Sequence, residues 1–136
     1  MKGVAASLLI WINTNSGYEY LGEPPKIVKT DPEALVHLLL GEIWRIPERA
    51  KRGLMGLYDS ETRTIWLRDD FDPKDDKDLS HLVHELVHFL QYEGYRSDGL
   101  VNQAHFETEA YEIQNHFLRT YDLPPIKRTT VPDLTR

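Results

Sequence analysis

His84-Glu85-Leu86-Val87-His88 is the stretch on which the reading of this chain turns. A helix advances about 100° and about 1.5 Å per residue, so positions four apart stand one turn apart on nearly the same face. Two imidazoles at that spacing reach one metal ion. Glu85 sits beside them on the rim, where it can touch a metal-bound water without being a ligand. The pattern points to the chemistry of a zinc hydrolase, and the flanking sequence is consistent with a helix from about Lys77 to Glu93, stopped by Gly94. On a helical wheel Leu79, Leu82, Val83, Leu86 and Leu90 fall on one side. His81, His84, His88 and Gln91 fall on the other, with Glu85 and Tyr92 at its edge. His81 lies about 10 Å along the axis from His88, too far to share its metal easily; a surface position near the helix start is expected, with a place on the lip of the cleft as the alternative.

A catalytic zinc usually takes three protein ligands and keeps one position open. The third must come from elsewhere in the chain. A last helix is expected from about Gln103 to Tyr121, ended by Pro124-Pro125, with Phe106, Ala110, Ile113 and Phe117 on its core face. Its acids are Glu107, Glu109 and Glu112. Glu107 shares a flank with Tyr111 and Gln114, at spacings of four and seven. Glu109 lies on the opposite flank, beside His116. Geometry on a wheel leaves both open as ligands.

Working back toward the N-terminus, Asp69 to Asp78 is an acidic connector whose last residues cap the following helix. Leu54–Tyr58 and Thr62–Leu67 read as two strands joined through Asp59-Ser60-Glu61, a hairpin with Trp66 in its core or with an edge able to cradle a peptide. Arg49–Arg52 forms a short basic cluster. Asp31-Pro32-Glu33 is a helix start, with Asp as N-cap and Pro at the first helical position. That helix carries Leu35, Val36, Leu38, Leu39, Ile43 and Trp44 and should stop near Pro47. Lys26–Lys29 is a short strand after Pro24-Pro25. Val4–Asn13 is an amphipathic helix; Lys2 before an apolar run has a faint likeness to a secretion signal, but no small-residue cleavage site follows.

Composition narrows the class. With 136 residues, 40 % hydrophobic and 28 % charged, the chain fits one globular domain, here taken as residues 1–125 with a loosely held tail 126–136. The net charge of −6 argues against nucleic acid as a partner, since phosphate binding needs basic clusters. No apolar run is long enough to span a bilayer. With no cysteine, any metal must be held by His and carboxylates. The same absence fits either redox environment, that of a cytoplasmic chain or of a secreted or periplasmic one whose signal has been cut away.

His84-Glu85-Leu86-Val87-His88 followed by Glu107-Thr108-Glu109-Ala110 resembles the gluzincin pattern, HExxH with a downstream ExxA. More narrowly, the chain resembles a family of small uncharacterised bacterial HExxH proteins through Gly56–Asp59, Arg63–Leu67, Val83–Gln91, and Glu107 with Ala110-Tyr111 and Gln114. The resemblance implies Glu107 as the third zinc ligand, with Glu109 as the fallback. It also implies an α+β fold: a minimal zincin-like core in which a small antiparallel or mixed sheet packs on the HExxH helix and a second, glutamate-bearing helix. In many gluzincins an aspartate four residues after the glutamate ligand orients a histidine; Tyr111 stands there in this chain.

The expected activity is hydrolysis of a peptide or protein substrate. Zn²⁺ sits on His84, His88 and Glu107 and lowers the pKa of its water to about 7. Glu85 is the general base, and Tyr111, Tyr92, Tyr95 and His105 are candidate donors to the oxyanion. The alternative is a zinc-binding module that holds a peptide or protein partner and hydrolyses weakly or not at all. A metal-free helical interaction protein is a third reading, which leaves the histidine stripe unexplained.

Overall fold

Apolar residues of the first and last helices and of the β-hairpin meet on the HExxH helix. The computed structural model describes residues 1–41, 53–93 and 105–127. Among them the order is α1 (Lys2–Asn15), β1 (Lys26–Thr30), α2 (Pro32–Leu40), β2 (Gly56–Asp59), β3 (Thr64–Arg68), α3 (Asp76–Glu93) and α4 (Phe106–Thr120). The protein is thus α+β, with four helices and one small mixed sheet in the described residues. α2 was expected to continue to near Pro47, but it ends at Leu40, where Gly41 takes φ 74 and its N–H bonds the His37 carbonyl; Ile43, Trp44 and Pro47 lie outside the described residues. So do Arg49–Arg52, Gly94, Tyr95, the loop at 95–102, the start of the last helix at Gln103 and the tail beyond Lys127.

The sheet has the order β1-β3-β2. β2 and β3 form the expected hairpin, antiparallel, with Leu57 opposite Trp66 and Tyr58 opposite Ile65. β1 then adds to the other side of β3 in parallel, Ile27 opposite Ile65. A parallel partner needs a crossover rather than a tight turn, and α2 lies on that crossover. β3 is therefore the central strand. Ile65 and Leu67 are fully buried while Trp66, on the opposite face, is only half-buried. The turn is closed by Arg63 at φ 51, and Asp59 accepts from the Glu61 N–H and the Thr62 hydroxyl.

Local chemistry sets the element ends. Asp31 accepts from the Ala34 N–H at 2.8 Å, with Pro32 opening α2, as an N-cap and N1 proline should. Asp75 caps α3, accepting from the Lys77 N–H at 2.8 Å. Asp76 and Asp78 add negative charge to its first turn, where the helix dipole favours it.

The core joins Leu8, Leu9 and Ile12 of α1 to Ile65 and Leu67 of β3 and to Leu82, Val83, Leu86, Val87, Phe89 and Leu90 of α3. Trp11 packs edge-on to Phe117 of α4 at 5.1 Å. From Leu82 to Gln91 every residue of α3 is buried. One face meets the core, and α4 and the β2 edge cover the other. The histidine stripe is consequently inside the protein, and each of its polar groups needs a partner.

Candidate metal centre

The first two members of the site come from one helix turn. His84 and His88 project from α3 with ring centroids 4.8 Å apart, and their Nε2 atoms stand 3.2 Å from one another. α4 brings the third. Glu107 Oε1 lies 2.5 Å from His84 Nε2 and 3.1 Å from His88 Nε2. These three are the group of metal-capable side chains found among the described residues. Ligands of a tetrahedral zinc at 2.0–2.2 Å are about 3.3 Å apart, close to this triangle. Glu109 is elsewhere. It accepts from the Tyr18 hydroxyl and from Gln91 Nε2, the latter at 3.1 Å, so the wheel's ambiguity between the two acids is resolved by packing.

Each imidazole is held by a glutamine. His84 Nδ1 is 2.8 Å from Gln114 Oε1, and His88 Nδ1 is 2.7 Å from Gln91 Oε1. An amide oxygen only accepts, so both Nδ1 atoms carry the proton and both Nε2 lone pairs face the centre. With neutral rings, two lone pairs and a carboxylate within about 3 Å of each other repel unless a metal ion, or an added proton on Nε2, sits among them. Imidazole nitrogen and carboxylate oxygen are ligands that suit zinc, and the donor set fits that ion. Gln91 and Gln114 lie on the polar flanks that the sequence expectation gave them, but no motif assigned them the task of holding the imidazoles. Gln91 is three residues after His88, one turn on; Gln114 is seven after Glu107, two turns on. Those spacings are the signal that could have found them.

Glu85 is buried, 9 % exposed, beside the two histidines. Burial pushes its carboxyl up, the nearby His84 and His88 pull it down, and Glu107 pushes it up again; the net direction is upward. The Tyr58 backbone N–H donates to it, which ties β2 to the site. Burial would also raise Glu107, but hydrogen bonds and charge from His84 and His88 hold it far below the usual carboxylate range. For His88, burial disfavours the charged ring, yet Glu107, Glu85 and Gln91 together outweigh it and the pKa is raised.

His84, Glu85, His88 and Glu107 line a cleft together with Leu39, Leu54, Met55, Gly56 and Ile126. Tyr111 lines it too, its ring edge-on to His84 with centroids 4.6 Å apart. Tyr92 is at the cleft but packs on Tyr58 and Phe106. His105 is exposed at the N-cap of α4 and does not line the cleft.

Two expectations are corrected. His81 is not a surface residue: it lines the cleft, within 3.3 Å of Gln114 Nε2. Burial first, then the charges of His84 and Lys77, lowers its pKa to about 4, so it stays neutral and accepts from the amide. Ile126 is not the start of a loose tail. Its N–H donates to Asn115 Oδ1 at 2.8 Å and its carbonyl accepts from Asn115 Nδ2 at 3.3 Å, and this clamp sets the residue on the cleft wall.

Compared with known proteins, the chain matches over residues 1–128 the model of a family described as a domain of unknown function, DUF6647, and belongs to that family. No curated protein and no solved structure matches it.

Proposed function

We propose that this DUF6647 member is a zinc-dependent peptidase with a gluzincin-like, zincin-type core. His84, His88 and Glu107 hold the metal, and Glu85 is the general base. The observation that carries the reading is the convergence of two imidazole Nε2 atoms and one carboxylate oxygen within 3.2 Å, beside a buried glutamate and on the wall of a cleft. A purely structural zinc would close all four positions with protein ligands and would need no base.

A bound zinc ion supplies Lewis acidity, polarising a substrate carbonyl and acidifying water near neutral pH. The protein's own groups do the rest. Glu85, its affinity for protons raised by burial, takes a proton from the attacking water and delivers it to the leaving nitrogen. Tyr111, against His84, is the donor best placed for the carbonyl oxygen as it gains charge. Arg68 N–H donates to the Met55 carbonyl at 3.1 Å. With the hairpin register, that bond turns the backbone polar groups of Gly56 and Tyr58 away from β3, toward a side where no described strand pairs with β2; the Tyr58 N–H is taken by Glu85, which leaves the Gly56 groups and the Tyr58 carbonyl. An extended peptide laid along β2 would pair with that edge through its main chain, an arrangement that gives affinity with little sequence preference.

Metal analysis and a broad peptide library test this. The purified protein should take up one zinc per chain and lose it on His84→Ala. Glu85→Gln should keep the zinc and lose cleavage. If wild type and Glu85→Gln both hold zinc and neither cuts, the chain is instead a zinc-dependent peptide-binding module. If no zinc binds, both readings fall.

A further inference from the structure

We propose that Glu109, backed by Tyr18, is a positioning residue of the metal centre: it fixes which way the Gln91 amide faces and thereby which nitrogen of His88 is free to bind metal. The inference rests on the zinc-site reading above. Its physical core is the asymmetry of an amide. If Gln91 presents its oxygen to His88 Nδ1, that nitrogen must carry the proton and Nε2 offers a lone pair. If the amide turns over, its N–H₂ faces Nδ1, Nδ1 must accept, and the proton moves to Nε2, where it blocks the ligand atom.

Both partners of the Gln91 nitrogen forbid the turned-over state. One is the Phe106 carbonyl at 2.8 Å and the other is Glu109 Oε1 at 3.1 Å. A carbonyl and a carboxylate only accept, so the Gln91 oxygen in their place would meet like partial charge inside the protein. Gln91 is 4 % exposed, so water offers little substitute. The buried Tyr18 hydroxyl donates to the same Glu109 oxygen, holding the carboxylate against the amide. Tyr18 follows α1, Glu109 is on α4, and Gln91 and His88 are on α3, so the chain of bonds spans three separate segments. The other imidazole is set differently. Gln114 Nε2 meets the Ser80 hydroxyl at 3.2 Å and His81 Nδ1 at 3.3 Å, and either of those can change from acceptor to donor. Only the His88 branch ends on a group that cannot.

The test uses Glu109→Met and Glu109→Leu, which remove the acceptor, and Glu109→Gln, which keeps a carbonyl. Whichever apolar variant folds, by circular dichroism, is the one measured. Zinc affinity by chelator competition should be about 10- to 100-fold weaker in the apolar variant and stay within a few-fold of wild type in Glu109→Gln. In metal-free protein at a pH well above the histidine range, ¹⁵N NMR should show His88 as the Nδ1–H tautomer in wild type. In the apolar variant it should show a mixture with the Nε2–H form. Unchanged affinity, or weaker affinity with the His88 tautomer unmoved, overturns the proposal. If wild type takes up no zinc, the peptidase reading fails, while the tautomer comparison still decides the role of Glu109.

Discussion

At the scale of single residues, the candidate site is defined as much by what surrounds His84, His88 and Glu107 as by those three side chains. Gly56 shows how tight that surround is. A Cβ there would lie 3.0 Å from Leu67 Cδ2 and 3.2 Å from both Glu85 Cγ and the Trp66 carbonyl. Gly56→Ala is expected to destabilise the fold by about 1–3 kcal/mol and to reduce peptide cleavage more than zinc binding, because the displaced group is Glu85. Urea unfolding and a parallel zinc titration check both. Tyr58 makes the opposite prediction. Its buried hydroxyl has no hydrogen-bond partner among the described residues, and burial, with the negative charge of Glu93, pushes its pKa up to about 12. Removing an unsatisfied buried donor relieves a desolvation cost. Tyr58→Phe is expected to raise unfolding free energy by about 1 kcal/mol, read from the urea midpoint at unchanged m-value.

At the scale of elements, α3 has two jobs that usually fall to different helices. Its apolar stripe fills the core and its polar stripe, also buried from Leu82 to Gln91, carries the candidate metal site. The second is tolerable only because α4 supplies Glu107, Tyr111 and Gln114 from one flank at spacings of four and seven. α2 has a different dependence. It joins β1 to the rest of the sheet's crossover, and its start rests on Asp31. Asp31→Ala is expected to cost about 1 kcal/mol of stability with zinc affinity unaltered, since Asp31 lies outside the site; thermal unfolding with and without zinc checks this.

At the scale of the whole molecule, buried histidines make stability depend on pH. The His81 pKa falls from 6.5 to about 4 on folding. Above pH 6.5 neither state is protonated and its contribution is complete. As pH drops from 6.5 to about 4 the unfolded chain gains a proton that the folded chain refuses, so stability declines. The melting temperature should therefore fall across that window, and His81→Asn should flatten the fall relative to wild type measured in parallel. Zinc adds a second linkage. Metal that binds only the folded chain raises its stability in proportion to the logarithm of free zinc, and protons compete for the same imidazoles, so the zinc-induced shift should shrink toward acid pH.

The helices around His84 and Glu107, the hairpin, the Asp31 cap and the pairing of His84 with His88 on one helix face were legible in the sequence, because each depends on spacing along one chain: four residues per helix turn, alternation along a strand, a capping side chain three residues from its partner. What depends on distant segments was not. The parallel pairing of β1 with β3, the burial of the histidine stripe, His81 in the cleft and Ile126 clamped by Asn115 follow from how elements pack. So does the separation of Glu107 from Glu109. A wheel shows both acids on the flanks of α4, and only the contact of that helix with α3 and Tyr18 turns one toward the metal site and the other toward the hydrogen bonds behind it.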